Sequence, residues 1–343
     1  MDIYELLCKL TAHDGISGFE GGFAENAAEL LRTFCDEVTV SRHGCAVGLM
    51  RSGVPGAKKL MLEAHLDRIG LIVTGIDDGG FVSFSALGGV DERILPASEV
   101  YIQGKRSVYG IIGAVPPHLT TASDRSAAPK IEDLLIDTGI RGEELRQLVR
   151  VGDPILLKSE CVRLSETRVS SAALDNRAGM AAVIDCAQKI RGKSFPYDIY
   201  ITFTSGEESG LHGAYTVAAD FKPDLAVVVD VTFGETPDSP ENTSFPLGCG
   251  AVVFRGPNTD RRISKRIEAL ADEKAIPHKT EVSGGSSGTN AWALQTAFGG
   301  IRCALISIPL RYMHTSVETA DIHDIENVGR LLAEISCGGV ELD

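Results

Sequence analysis

Nine residues, LAVVVDVTF at 225–233, leave the chain few ways to fold. Only Asp230 and Thr232 break an otherwise apolar, β-branched run, the pattern of a strand covered on both faces. Its surroundings supply the covering layers. ALDNRAGMAAVIDCAQKIRG reads as a helix, with Ala178, Ala181, Ala182, Cys186 and Ile190 at helical spacing. YDIYITFTS alternates Ile199, Ile201 and Phe203 with polar residues and reads as a strand. DRRISKRIEALADEKA is a charged amphipathic helix, RCALISIPL a strand, and IENVGRLLAEISCGG a final helix. Strands alternating with helices predict an α/β fold, a mostly parallel sheet with helices on both faces.

Nearer the N-terminus, GFAENAAELLRTFCD (22–36) has helical spacing, and KKLMLEAHLDRIG reads as a buried strand ending near His65. From about residue 70 the texture changes. LIVTGIDDGGFVSFSALGGV, SEVYIQG, SVYGIIGAV and PILLKS are short β-like runs separated by glycine-rich turns. KIEDLLIDTG and EELRQLV read as a helical interruption. The expected division is a discontinuous α/β domain, residues 1–69 and 166–343, carrying an inserted small β-rich domain at 70–165.

Composition narrows the function. The 343 residues are 43% hydrophobic, enough for a large core, and carry a formal net charge of −14. That balance argues against nucleic acid or an anionic membrane surface as partner. The start, MDIYELLCKLTAHDG, lacks the basic and apolar segments of a signal peptide, and no apolar run approaches the ~18 residues of a membrane span. Eight dispersed cysteines without a CxxC pair read as free thiols, and a cytoplasmic location is expected.

Chemistry enters where polar residues interrupt or follow the strands. His65 and Asp67 lie at the end of KKLMLEA, Glu207 and Glu208 just past YDIYITFTS, Asp230 in LAVVVD, and His314 after RCALISIPL. Asp175 precedes a helix. In open α/β sheets ligands bind outside the carboxyl ends of the strands, where these positions converge if the strands are parallel. Two histidines with Asp and Glu oxygens suit Zn²⁺, Co²⁺ or Mn²⁺, and the absence of thiolate argues against a structural zinc site. The set suffices for two ions if one carboxylate bridges, and one member of the glutamate pair then remains free for proton transfer. Asp67, two residues from His65, shares its face if the segment is extended, and is placed to accept the imidazole N–H.

AHLDRIG, SSAALDNRAG, GEESGLHGA, VVVDVT and RYMHTSVE together resemble the M42 family of dinuclear metallo-aminopeptidases. GISGFE, GIIGAVPPHL, DLLIDTG and SSGTNA fit the same pattern, in order along nearly the whole chain. The resemblance implies a catalytic domain of the zinc-exopeptidase type and an inserted β domain used for homo-oligomerisation, often into dodecamers built from dimers. It implies that His65 and Asp230 bind one divalent ion, that Glu208 and His314 bind the other, and that Asp175 bridges them. Glu207 is then the general acid/base. The resemblance further implies short peptides as substrates, bound by a free amino terminus.

Other positions carry weaker signals. His118 in PPHLTT either reaches an active site, in its own or a neighbouring subunit, or packs as a loop histidine. Gly284, Gly285 and Gly288 form a loop suited to line a substrate pocket. Arg68 and Asn290 stand where the family commonly has glutamate and aspartate, without removing any expected ligand. Competing readings are another dinuclear metal amidohydrolase or deacylase, and an endoglucanase-like glycosidase using the two glutamates directly.

Overall fold

The computed structural model describes residues 2–119, 129–237, 239–240 and 243–342. The chain opens with α1 (Ile3–Thr11), α2 (Gly21–Leu31), β1 (Glu37–Val40), β2 (Ala46–Met50) and β3 (Lys59–His65). There follow β4 (Gly70–Ile76), β5 (Phe81–Leu87), β6 (Glu99–Gln103), β7 (Ser107–Gly113), β8 (Leu135–Asp137), α3 (Gly142–Leu148) and β9 (Pro154–Leu157). Next come β10 (Val162–Arg163), β11 (Arg168–Ser171), α4 (Leu174–Ile190), β12 (Asp198–Thr204), α5 (His212–Phe221) and β13 (Leu225–Phe233). The last third holds β14 (Ala251–Arg255), α6 (Arg261–Glu273), β15 (His278–Val282), α7 (Asn290–Leu294), β16 (Arg302–Leu310), β17 (Glu318–Asp321) and α8 (Ile322–Glu334).

Eight strands form one sheet in the order β1-β2-β12-β3-β13-β16-β14-β15. Its centre, β12, β3, β13 and β16, is parallel throughout. The flanks are not: β2 runs antiparallel to β12 and β1 to β2, while β14 is antiparallel to β16. The strand alternation explains the two helical layers. Leu225, Val227, Val229 and Val231 of β13 join the larger core, with Leu6, Leu7, Ala28, Ile184, Ile267 and Leu331 from α1, α2, α4, α6 and α8. Ala226 and Val228 point the other way, onto Val217 of α5 and Leu294 of α7. Helix α4 is buried along nearly its whole length, which its alanine-rich sequence permits.

The strands between β3 and β10 close into a barrel of order β4-β5-β8-β7-β6-β9. Its interior is built by alternation: Leu71, Val73, Val82, Phe84, Val100, Ile102, Val108, Ile112, Ile155 and Leu157 face inward. One expectation fails here. KIEDLLIDTG is not a helix but a single 3-10 turn (Ile131–Asp133) followed by strand β8. Ile131 and Leu134 have the i, i+3 spacing of a helix, and both are buried. The barrel, however, needs a strand there. Ile136 pairs with Val82 on one side and Ile112 on the other, filling the gap between β5 and β7. The chain leaves the barrel after Leu157, since β10 pairs with β11, which in turn pairs with β17. Among the described residues no helix is long and apolar enough to cross a membrane.

Candidate metal centre

The parallel register brings the strand ends level. Thr204 pairs with His65, and Val228 with Glu63, so Asp230 stands beside His65 on the same face of the sheet. Glu207 and Glu208 lie in the turn after β12, and His314 in the turn after β16. Asp175 sits at the head of α4 with non-helical backbone (φ −80°, ψ 102°), so the regular helix starts beyond it.

All seven expected residues converge. Asp175 is the hinge of the arrangement: its Oδ1 is 3.1 Å from His65 Nε2, and its Oδ2 is 3.3 Å from His314 Nε2. Asp230 Oδ1 lies 3.6 Å from His65 Nε2, and Glu208 Oε1 3.4 Å from His314 Nε2. Two clusters result, His65 with Glu207 and Asp230, and Asp175 with Glu208 and His314. Within each, the ligand atoms lie within 4.8 Å of one another. Donors held about 2.0–2.2 Å from a shared ion need separations of this order.

The supporting groups differ in part from the expectation. His65 Nδ1 lies 3.1 Å from the main-chain oxygen of Asp67, while the Asp67 carboxylate is 3.6 Å away. That carboxylate instead accepts from the backbone N–H groups of Glu207 (3.0 Å) and Glu208 (3.1 Å), fixing the turn that carries the pair. The strand ends at His65, so extended alternation no longer governs Asp67. Two further groups were not anticipated. Glu318, buried, accepts from the N–H of Asp175 at 3.0 Å and of His314 at 2.8 Å, holding both backbones at once. It closes the HTSVE motif, four residues past His314, the one signal that could have marked it. His314 itself has φ +63°, a strained conformation for a residue with a Cβ, and those bonds retain it. Its Nδ1 lies 2.9 Å from the Gly89 carbonyl, in the turn that follows β5 of the barrel.

The electrostatics are those of an acidic cluster in want of positive charge. Burial, reinforced by Asp230, Glu208 and Asp175, pushes the Glu207 carboxyl up to about 9, against the pull of His65. Burial disfavours charge on His65 too, but Glu207, Asp175, Asp230 and Asp67 outweigh it and raise the imidazole well above its usual value. His314 is raised to about 11 by Asp175 and Glu208 despite its burial. Asp175 is lowered, burial being overcome by hydrogen bonds from the two imidazoles. Glu208 Oε1 is buried without a hydrogen-bond partner among the described residues. Four carboxylates, one of them with an orphaned oxygen, and two imidazoles make an all-nitrogen-and-oxygen donor set, which fits divalent cations.

These side chains line a cavity of about 210 Å³, completed by Thr232, Phe254, Glu281, Ser287, Gly288, Thr289, Leu305, Ser307 and Met313. Of the loop glycines only Gly288 is among the lining residues. Asn290 lies beneath, donating to Glu63 (2.8 Å) and Thr204 (2.9 Å), and Arg68 is buried. His118 is exposed on the 3-10 turn Pro117–Leu119, and Thr120 and Thr121 of its motif lie outside the described residues.

At the carboxyl ends of the parallel strands, two imidazoles and three further carboxylates gather around Asp175, a donor set suited to divalent cations. The chain belongs to the M42 glutamyl aminopeptidase family, whose model matches residues 44–331. It is 32% identical to the lysyl aminopeptidase of Pyrococcus furiosus, over 96% of this chain and 95% of that one. Aminopeptidase APDkam598 from Desulfurococcus kamchatkensis superposes with a TM-score of 0.91 at 30% identity, covering 98% of this chain and 94% of its own. The TET1 peptidase of Pyrococcus horikoshii, which assembles into a tetrahedron or a large octahedral shell, gives 0.85 at 28% identity, with 97% and 99% covered. The protein is a metal-dependent aminopeptidase, a peptide hydrolase of the exopeptidase kind.

Proposed function

We propose that the protein removes N-terminal residues from short peptides at a centre of two divalent ions, zinc foremost, with cobalt or manganese accepted by the same donors. His65 and Asp230 would hold one ion, Glu208 and His314 the other, and Asp175 would be shared between them. The observation that carries this reading is Asp175, whose two oxygens each face a different histidine at 3.1 and 3.3 Å. Bound there, the ions supply Lewis-acid polarisation of the peptide carbonyl and acidify a water. Glu207, in the cluster with His65 and Asp230 and next in sequence to Glu208, takes the proton from the attacking water and returns it to the leaving amine. Asp67 and Glu318 are positioning residues, the first aiming the glutamate pair and the second the backbones of Asp175 and His314. A glycosidase reading gives the two histidines no role.

Residues 70–165 form an inserted β-rich domain on this account, and the protein works as a homo-oligomer, as the TET1 relative's shells suggest. A cytoplasmic location accords with its dispersed free cysteines. Metal titration of chelator-stripped protein tests the core of the proposal. Two equivalents of Zn²⁺ are expected to bind, and Asp175→Asn is expected to weaken both steps. A single binding step in the wild type, or two unaltered steps in the variant, contradicts it.

A further inference from the structure

The cavity that holds the metal-binding groups continues past them to a carboxylate with no part in the proposed chemistry. Glu281, on β15, lines it with Thr232, Phe254, Leu305 and Met313. Its Oε2 accepts from the Thr232 hydroxyl at 2.9 Å, and its Oε1 has no partner among the described residues. No lysine or arginine among the described residues pairs with it. Arg255, next to its strand neighbour Phe254, is turned to Glu268 of α6 instead.

Distance along the strand gives the scale. Thr232 is two residues past Asp230 on the same face of β13, about 6.6 Å further along. The Glu281 carboxylate therefore lies beyond the metal-binding groups by roughly the reach of a four-methylene stem. Phe254, Leu305 and Met313 give the cavity apolar wall beside the hydroxyls of Ser287, Thr289 and Ser307, and its volume of about 210 Å³ suits one side chain rather than a length of peptide.

We propose that Glu281 selects peptides whose N-terminal residue carries a cationic side chain, lysine or arginine. The inference rests on the aminopeptidase site described above. An aliphatic stem would lie along the apolar walls and its terminal cation would meet the free Oε1. A glutamyl side chain would bring a second carboxylate against Glu281 with no base between them. A purely aliphatic one would cover the carboxylate without pairing it, which costs affinity.

The test is steady-state kcat/KM of the metal-loaded full chain on lysyl, arginyl, norleucyl and glutamyl p-nitroanilides. Norleucine keeps the four-carbon stem and lacks the ammonium group. Lysyl and arginyl substrates are expected to exceed norleucyl by about tenfold or more, with glutamyl lowest. In Glu281→Gln the lysyl-to-norleucyl ratio is expected to fall by about tenfold. A wild-type ratio at or below one overturns the inference, as does a ratio that Glu281→Gln leaves unchanged. Failure to hydrolyse any of the four would defeat the aminopeptidase reading itself, whereas turnover without preference defeats only the role of Glu281.

Discussion

Glu207 and Glu208 are adjacent in sequence, and one carboxylate, that of Asp67, takes both of their backbone N–H groups. Their side chains nonetheless part, Glu208 toward His314 and Glu207 into the cluster with His65 and Asp230. Glu207→Gln is expected to retain two metal equivalents and lose about 10²–10⁴-fold in kcat, as removal of a general acid/base does. Elemental analysis beside single-substrate kinetics checks it, and near-normal turnover counts against the role. Asp67→Ala strips the acceptor from two N–H groups and is expected to destabilise the fold by ~2 kcal/mol or more, read by denaturant unfolding. The five proposed ligands could be picked out because each is a polar residue that ends or interrupts an apolar strand, lies in the turn after one, or opens a helix. Asp67 was legible as important but not in its bonding, since the chain turns at His65 and the alternation rule lapses. Glu281 gave no signal at all. Its neighbours Thr232 and Phe254 are 49 and 27 positions away, and only folding brings them together.

At the scale of elements, the turn after β5 joins the barrel to the metal centre. A Cβ built on Gly89 would lie 2.8 Å from His314 Nδ1, and one on Gly88, where φ is +80°, would meet Glu208 at 3.4 Å. Gly89→Ala is therefore expected to displace the His314 ring, leaving one metal equivalent tightly bound where the wild type binds two. Calorimetric titration of the stripped variant checks this, and two undiminished binding steps would contradict it. The elements themselves were largely readable. Strands β3, β12, β13 and β16 and helices α4, α6 and α8 follow from local periodicity. Strand β8 did not, because three residues with helical-looking neighbours become a strand only through the partners waiting on either side. The antiparallel flanks of the sheet were equally hidden, since a strand's direction depends on where the chain returns.

For the whole molecule, the buried acidic cluster ties stability to cation binding. Chelator treatment is expected to lower the unfolding temperature, and Zn²⁺, Co²⁺ or Mn²⁺ to restore it, as binding to the native state alone requires. Differential scanning calorimetry reads the shift, and an unchanged transition contradicts the account. The order of motifs along the chain made the family legible from sequence, whereas an oligomeric assembly is expected only through that resemblance. The most direct measurement of the central claim is hydrolysis of one short peptide in two forms, with a free and with an acetylated N-terminus, before and after metal removal. Only the free peptide, with metal present, is predicted to be shortened one residue at a time from its N-terminus. Cleavage of the acetylated peptide, or turnover that survives the chelator, would contradict a metal-dependent aminopeptidase.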